Sequence, residues 1–397
     1  MALSATALSG TAWLLRMRGV ARRSASSQRA LRVLVMANTP ELCAHVESLA
    51  GRSDVLRAQG VRLELVRCAP TADGATQGSV EWRAALADAE VALAAPSALA
   101  PLLDGGAAPS LRWVQYTWAG VDAVFRDTAR RDYLATRIAG VFGAQMAGYV
   151  LAHVLGCEKG VARAAALQRE GRWEPQTWQA EAANRPLRTL TLGVLGAGSI
   201  GMEVAAAAAA LGMRAIAFKR DTSAAAQAAA AAAGVHELTD SLPSLLRRAD
   251  YIVNVLPSTA GTRGLLDGGA LAHCVGEGGG GSAEGRAEEG ARGAAPEGGR
   301  HRRAPVFINV GRGDVVSEAS LLAALQAGHL SHAVLDVFPA EPLPAASALW
   351  AHPAVSVTPH VAAVSFPSDV AAVFVQNLER WVQGAPLHHV VDWDQGY

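Results

Sequence analysis

Charge of one sign is missing from this sequence, since Lys and Arg total 35 and Asp and Glu also total 35. Without a net field, nothing holds nucleic acid or an anionic membrane surface nonspecifically. Long hydrophobic runs are missing as well: charges or glycines interrupt every apolar stretch before the roughly 18 residues that a spanning helix needs. Cysteine is scarce, and Cys43, Cys68, Cys157 and Cys274 are scattered with no C-x-x-C pair. That excludes a disulfide framework and the usual zinc spacings, and points to a reducing compartment. No metal, nucleic acid or membrane partner is expected, which leaves a small molecule.

What is present is enough chain for two domains, because 397 residues exceed the roughly 100–200 of an ordinary core. From Leu31 onward short apolar strands alternate with helical patterns, the signature of an α/β fold with parallel sheets. The first series has strands at 32–36, 62–66, 91–95 and 113–117, and a helix at 144–157 carries the chain onward. The second has strands at 191–195, 215–218, 251–256, 306–310, 333–337 and 355–358. At 368–382 an amphipathic helix, with Val370, Phe374, Leu378 and Trp381 at helical spacing, is suited to recross to the first domain. The expected division is 31–148 plus 365–397 as one domain and 149–364 as a second inserted into it.

Two segments stand apart. Residues 1–30 hold Arg16, Arg18, Arg22, Arg23 and Arg29 among serines and alanines, and the first acidic residue is Glu41. This is the composition of an organelle transit peptide, which predicts a mitochondrial location, with plastid second, or cytoplasm if the segment is no such signal. Residues 276–303 are almost all Gly, Ala, Glu and Arg, and with no apolar periodicity they are predicted to form a disordered loop. That loop precedes a strand, so it belongs at the edge of the sheet away from ligands.

Gly196, Gly198 and Gly201, with Ser199 and Ile200 between them, form G-x-G-x-x-G between an apolar strand and a helix. In that context the glycines permit a tight turn, close approach to a pyrophosphate and helix–strand packing, so this is a dinucleotide site. The next strand runs into Lys219 and Arg220. Two cations there suit a 2'-phosphate and favour NADP(H). A shifted register would instead bring Asp221 to the ribose and favour NAD(H).

Open α/β sheets bind ligands beyond the carboxyl ends of their strands, and this rule sorts the eleven histidines. His360 follows the strand at 355–358, whereas His329, His332 and His352 precede strands. The same rule selects Arg312 and Val310, Asp336 and Glu341, and Leu256 with Pro257. Arg312 can clamp a carboxylate, and a protonated His360 can hand a proton to a carbonyl oxygen as hydride arrives. Glu341 would partner the imidazolium, and Asp336 sits where a nicotinamide carboxamide needs an acceptor. The set suits reduction of a ketone beside an anion.

Four ordered motifs, L-G-A-G-S-I-G, N-V-G-R-G-D-V-V, L-D-V-F-P-A-E-P and T-P-H-V-A-A, resemble those of the D-isomer-specific 2-hydroxyacid dehydrogenases. The Y-T-W-A-G-V-D segment and the closing V-V-D-W-D-Q-G-Y are similar to the glyoxylate and hydroxypyruvate reductase branch. The resemblance implies that Arg312, Glu341 and His360 are catalytic, and that the amides of Ala119, Gly120 and Val121 receive the substrate carboxylate. It also implies a flavodoxin-like substrate domain, a Rossmann cofactor domain, a cleft that closes on the ligand, a homodimer, and a small 2-keto or 2-hydroxy acid substrate. Two departures stand out: Gly148 replaces a usual acidic residue, and Trp118 either narrows the pocket or is core packing. Alternatives are an NAD-dependent dehydrogenase working oxidatively and a non-catalytic nucleotide-sensing scaffold similar to the C-terminal-binding protein corepressors.

Overall fold

The computed structural model describes residues 29–37, 39–68, 80–175, 185–274 and 303–396. The transit-like segment, apart from Arg29 and Ala30, and the 276–303 insert, apart from Arg303, lie outside the described residues. The chain forms two compact units, one running up to Val141 and resuming at Ser365, the other Phe142–Val364. The helix expected to carry the boundary falls wholly in the second unit, as Gly143–Glu158. Among the described residues no helix is long and apolar enough to cross a membrane.

In the first unit β1 (Arg29–Met36), β2 (Val61–Arg67), β3 (Val91–Ala94), β4 (Trp113–Tyr116) and β5 (Leu134–Thr136) form a parallel sheet in the order β2-β1-β3-β4-β5. This is the flavodoxin-like order. β3 and β4 are buried at every position, and strands covered on both faces read as unbroken apolar runs, as V-A-L-A does. Arg29 and Ala30, assigned by composition to the tail, are strand instead: Arg29 N donates to Gly60 O at 2.9 Å and its guanidinium pairs with Glu90 at 2.6 Å.

The end of the chain completes this unit. Helix Pro367–Gln383 buries Val370, Phe374, Leu378 and Trp381, and Trp113 stacks with both Phe374 and Trp381 at 5.4 Å. Polar groups in the same core are satisfied, with Trp113 Nε1 donating to Thr136 Oγ1 at 2.9 Å and Asn377 Nδ2 to Gln115 Oε1 at 3.0 Å. Val391 N then donates to Ala135 O at 2.9 Å beside β5.

The second unit holds β6 (Thr191–Leu195), β7 (Arg214–Phe218), β8 (Glu237–Thr239), β9 (Tyr251–Asn254), β10 (Val306–Asn309), β11 (His332–Leu335) and β12 (Val355–Val357). The order β12-β11-β10-β9-β6-β7-β8 reverses at the β6/β9 junction, the switch point where doubly wound sheets bind nucleotides. At the opposite edge Glu158, 1% exposed, accepts from Arg185 Nη2 at 2.5 Å and Tyr251 Oη at 2.7 Å, and Arg185 also pairs with Asp250 at 2.9 Å. Burial raises the Glu158 carboxyl, but the bonds from Arg185 and Tyr251 outweigh it and hold the group below its ordinary value. This network ties the end of helix Gly143–Glu158 to the start of β9.

Candidate active site

The nucleotide loop follows β6. Helix Ser199–Ala210 has Gly198 as its N-cap, and the first-turn N–H groups of such a helix have no intrahelical acceptor. A Cβ at Gly201 would stand 1.9 Å from Gly196 O, whereas one at Gly198 would meet nothing within 4 Å. The loop is therefore closed where helix meets strand and open where a pyrophosphate would rest, so these residues fit a dinucleotide. At the end of β7 neither the Lys219 nor the Arg220 side chain makes a hydrogen bond or ion pair among the described residues. Asp221 is turned to its own chain: its Oδ1 accepts from Ser223 N at 3.1 Å, and that contact holds its carboxyl below the usual range.

Two buried asparagines that sequence reasoning missed shape the next loops. Asn254 and Asn309 end β9 and β10, at 0% and 1% exposure, and Asn254 Nδ2 donates to Asn309 Oδ1 at 2.8 Å. Asn254 Oδ1 accepts from Leu256 N at 3.2 Å, while Asn309 Nδ2 donates to Arg312 O at 3.0 Å. Their signal was available, since I-V-N-V and F-I-N-V place an asparagine at matching ends of neighbouring strands. Arg312 is half-buried with Nη1 donating to Gly311 O at 2.8 Å. The following Gly313 is obligatory, because a Cβ there would lie 2.0 Å from the Phe338 carbonyl carbon. Val310 points into the core at 4% exposure, so only its backbone remains for a ligand.

After β11 and β12, His360 and Glu341 come together in the loops beyond the strand ends. His360 Nδ1 lies 2.8 Å from Glu341 Oε2, and Glu341 Oε1 accepts from Phe338 N at 2.9 Å. With Nδ1 engaged, Nε2 of His360 has no hydrogen bond among the described residues, and the side chain is half-exposed. His360 has φ 55°, a left-handed conformation that costs an L-residue about 1–2 kcal/mol and therefore needs support. Asp336, 1% exposed, supplies it: its carboxylate accepts from Thr358 Oγ1 at 2.6 Å, Val361 N at 2.9 Å and Ala362 N at 2.9 Å. The residue expected to meet a carboxamide thus braces the histidine loop.

Within the first unit the turn after β4 leads into the short helix Asp122–Asp127. The amides of Ala119, Gly120 and Val121 make no hydrogen bond among the described residues. Trp118 is 52% exposed, which removes the core-packing reading. Gly148 lies in mid-helix with nothing within 4 Å of a Cβ, so no steric demand explains it.

Comparison with known proteins agrees with this geometry. The profile described as "D-isomer specific 2-hydroxyacid dehydrogenase, NAD binding domain" matches residues 151–277 and 299–362. A glyoxylate/hydroxypyruvate reductase A from Enterobacter sp. (strain 638) is 32% identical over 257 residues, 64% of this chain and 70% of the relative. A solved D-isomer-specific 2-hydroxyacid dehydrogenase family protein from Aeromonas salmonicida superposes with a TM-score of 0.69 at 31% identity, covering 92% of this chain and 99% of that one. An NADPH-dependent glyoxylate/hydroxypyruvate reductase from Sinorhizobium meliloti, solved with NADP and sulfate, gives 0.68 at 28% identity, covering 92% and 100%. These relatives correct the expected organellar location: they are bacterial proteins, for which import into an organelle has no meaning. The scaffold alternative also gives way, since the relatives are reductases and the histidine–glutamate pair is intact. The chain belongs to the D-isomer-specific 2-hydroxyacid dehydrogenases, in the glyoxylate/hydroxypyruvate reductase A-like branch, and is an NAD(P)-dependent oxidoreductase.

Proposed function

We propose that this enzyme reduces a small 2-keto acid of the glyoxylate or hydroxypyruvate type to the D-2-hydroxy acid, using NADPH. The observation that carries the reading is the His360–Glu341 pair, with one imidazole nitrogen held at 2.8 Å and the other making no hydrogen bond among the described residues. Bound NADPH supplies the hydride. His360 Nε2 gives its proton to the carbonyl oxygen as negative charge develops there, and Glu341 stabilises the charged ring. Arg312 polarises the same carbonyl and its neighbouring carboxylate through its fork of donors. The amides of Ala119, Gly120 and Val121 receive the carboxylate.

The NADPH preference rests on Lys219 and Arg220, whose side chains make no hydrogen bond or ion pair among the described residues, beside an Asp221 already bonded to Ser223. The Sinorhizobium relative is described as NADPH-dependent, in keeping with that reading. Leu256, Pro257 and the backbone of Val310 line the nicotinamide side, and the enzyme works as a homodimer, checked by light scattering. The deciding assay compares glyoxylate, hydroxypyruvate, pyruvate and phenylpyruvate with NADPH and with NADH. A strong NADH preference overturns the cofactor choice, and preference for phenylpyruvate overturns the substrate class.

A further inference from the structure

Helix Gly143–Glu158 grips the His360 segment at both ends, within one unit. Upstream, Tyr149 Oη lies 2.6 Å from Thr358 Oγ1. Downstream, Gln145 Oε1 accepts from Val364 N at 2.9 Å and its Nε2 donates to Val364 O at 3.0 Å.

The direction of the upstream contact is fixed. Thr358 has one hydroxyl proton, and it goes to Asp336 Oδ1 at 2.6 Å. Tyr149 must therefore be the donor to Thr358, and burial, which pushes its phenol up, keeps that proton in place. Asp336 passes the constraint on, because its carboxylate holds the amides of Val361 and Ala362 and its carbonyl oxygen accepts from His360 N at 2.9 Å. These are the contacts that hold His360 at its left-handed φ of 55°, a conformation that persists only where the surroundings over-determine it.

We infer that Tyr149 is a positioning residue for the proton donor. Through Thr358 and Asp336 it keeps the His360 backbone in the conformation that aims the imidazole at Glu341, while Gln145 fastens the far end of the segment. The inference rests on the reading of His360 as proton donor.

Thr358→Val keeps the side-chain shape but deprives Asp336 of a donor and Tyr149 of its acceptor. The expected result is a loss in kcat of about tenfold or more, with the keto-acid KM within about twofold, since a misaimed donor slows chemistry without weakening binding. Thr358→Ser should restore kcat to within about threefold of the parent. Tyr149→Phe should lower kcat by about fivefold, and the Tyr149→Phe/Thr358→Val double variant should be no slower than Thr358→Val alone, because both act through one hydroxyl. If the two losses multiply, or Thr358→Val stays within about twofold of the parent, the inference is overturned.

Hydrogen exchange supplies a readout that needs no turnover. The amides of residues 360–364 should exchange faster in Tyr149→Phe and Thr358→Val, with the helix after the glycine loop unchanged. Unaltered exchange at those amides also overturns the inference. A parent enzyme that reduces none of the keto acids would sink the functional reading alone and leave the exchange test standing.

Discussion

Glu341→Gln tests the proposed proton-donor pair with the least change of shape. A carboxylate has two acceptor oxygens, and here they serve different donors: Oε1 takes Phe338 N–H at 2.9 Å and Oε2 faces His360 Nδ1 at 2.8 Å. An amide has one acceptor oxygen and one nitrogen that can only donate. With its oxygen on Phe338, the amide nitrogen points at the imidazole and favours the neutral ring, a poor proton donor. With its oxygen on His360, the Phe338 amide loses its acceptor and the ring loses its anionic partner. A hydrogen bond to a charged group contributes about 1.5–3 kcal/mol. Because the His360 and Glu341 side chains are 53% and 36% exposed, solvent screening places the loss near the lower end. At about 1.4 kcal/mol per tenfold, kcat should fall at least about tenfold. The assay is steady-state reduction at saturating NADPH and keto acid, with deuterated NADPH used to show that hydride transfer limits the rate. A Glu341→Gln enzyme within about threefold of the parent, with a full isotope effect, would refute the argument.

Three further outcomes follow from the described geometry. Lys219→Ala/Arg220→Ala should lower kcat/KM for NADPH about tenfold or more while leaving NADH within about threefold, because only the 2'-phosphate loses its charged partners; equal losses with both nucleotides would contradict it. Gly313→Ala should destabilise the second unit by about 3 kcal/mol or more in urea unfolding, since its Cβ would fall 2.0 Å from the Phe338 backbone. Glu158→Gln should cost about 3 kcal/mol by leaving Arg185 and Tyr251 short of an acceptor. The pH sign follows from the lowered carboxyl of Glu158: its contribution is present above the unfolded carboxylate value and is lost as pH falls through the lower folded one. Melting curves of the parent should therefore drop more steeply below about pH 4.5 than those of Glu158→Gln, and parallel curves would count against the network.

Strand-end reasoning brings Arg312, Glu341 and His360 to one edge of a sheet from the sequence alone, because a parallel sheet fixes which end of each strand carries its loop. It missed β5 and β8, each three residues long and so too short to show a period of its own, although β12, equally short, was expected at 355–358. It also placed Asp336 correctly in the chain while missing its partners, since Thr358, Val361 and Ala362 lie more than twenty residues on and meet it only through the β11/β12 pairing. The asparagine pair left a visible signal in I-V-N-V and F-I-N-V, but joining the two takes the knowledge that β9 and β10 are neighbours in the sheet. Composition misled at the amino terminus, where Arg29 counts with the basic tail but pairs with Glu90 in the sheet.

The interrupted layout of the first unit sets an order of events during synthesis. Translation delivers β1 to β5 first, yet the aromatic partners of Trp113 are Phe374 and Trp381, and the strand-edge partner of Ala135 is Val391. Phe142–Val364 leaves the ribosome whole and is free to close around its own sheet, since domains fold as units. The segment made earliest is thus the last to be finished, and a nascent chain stalled before Ser365 would carry a completed nucleotide-binding half beside a half with Trp113 still uncapped.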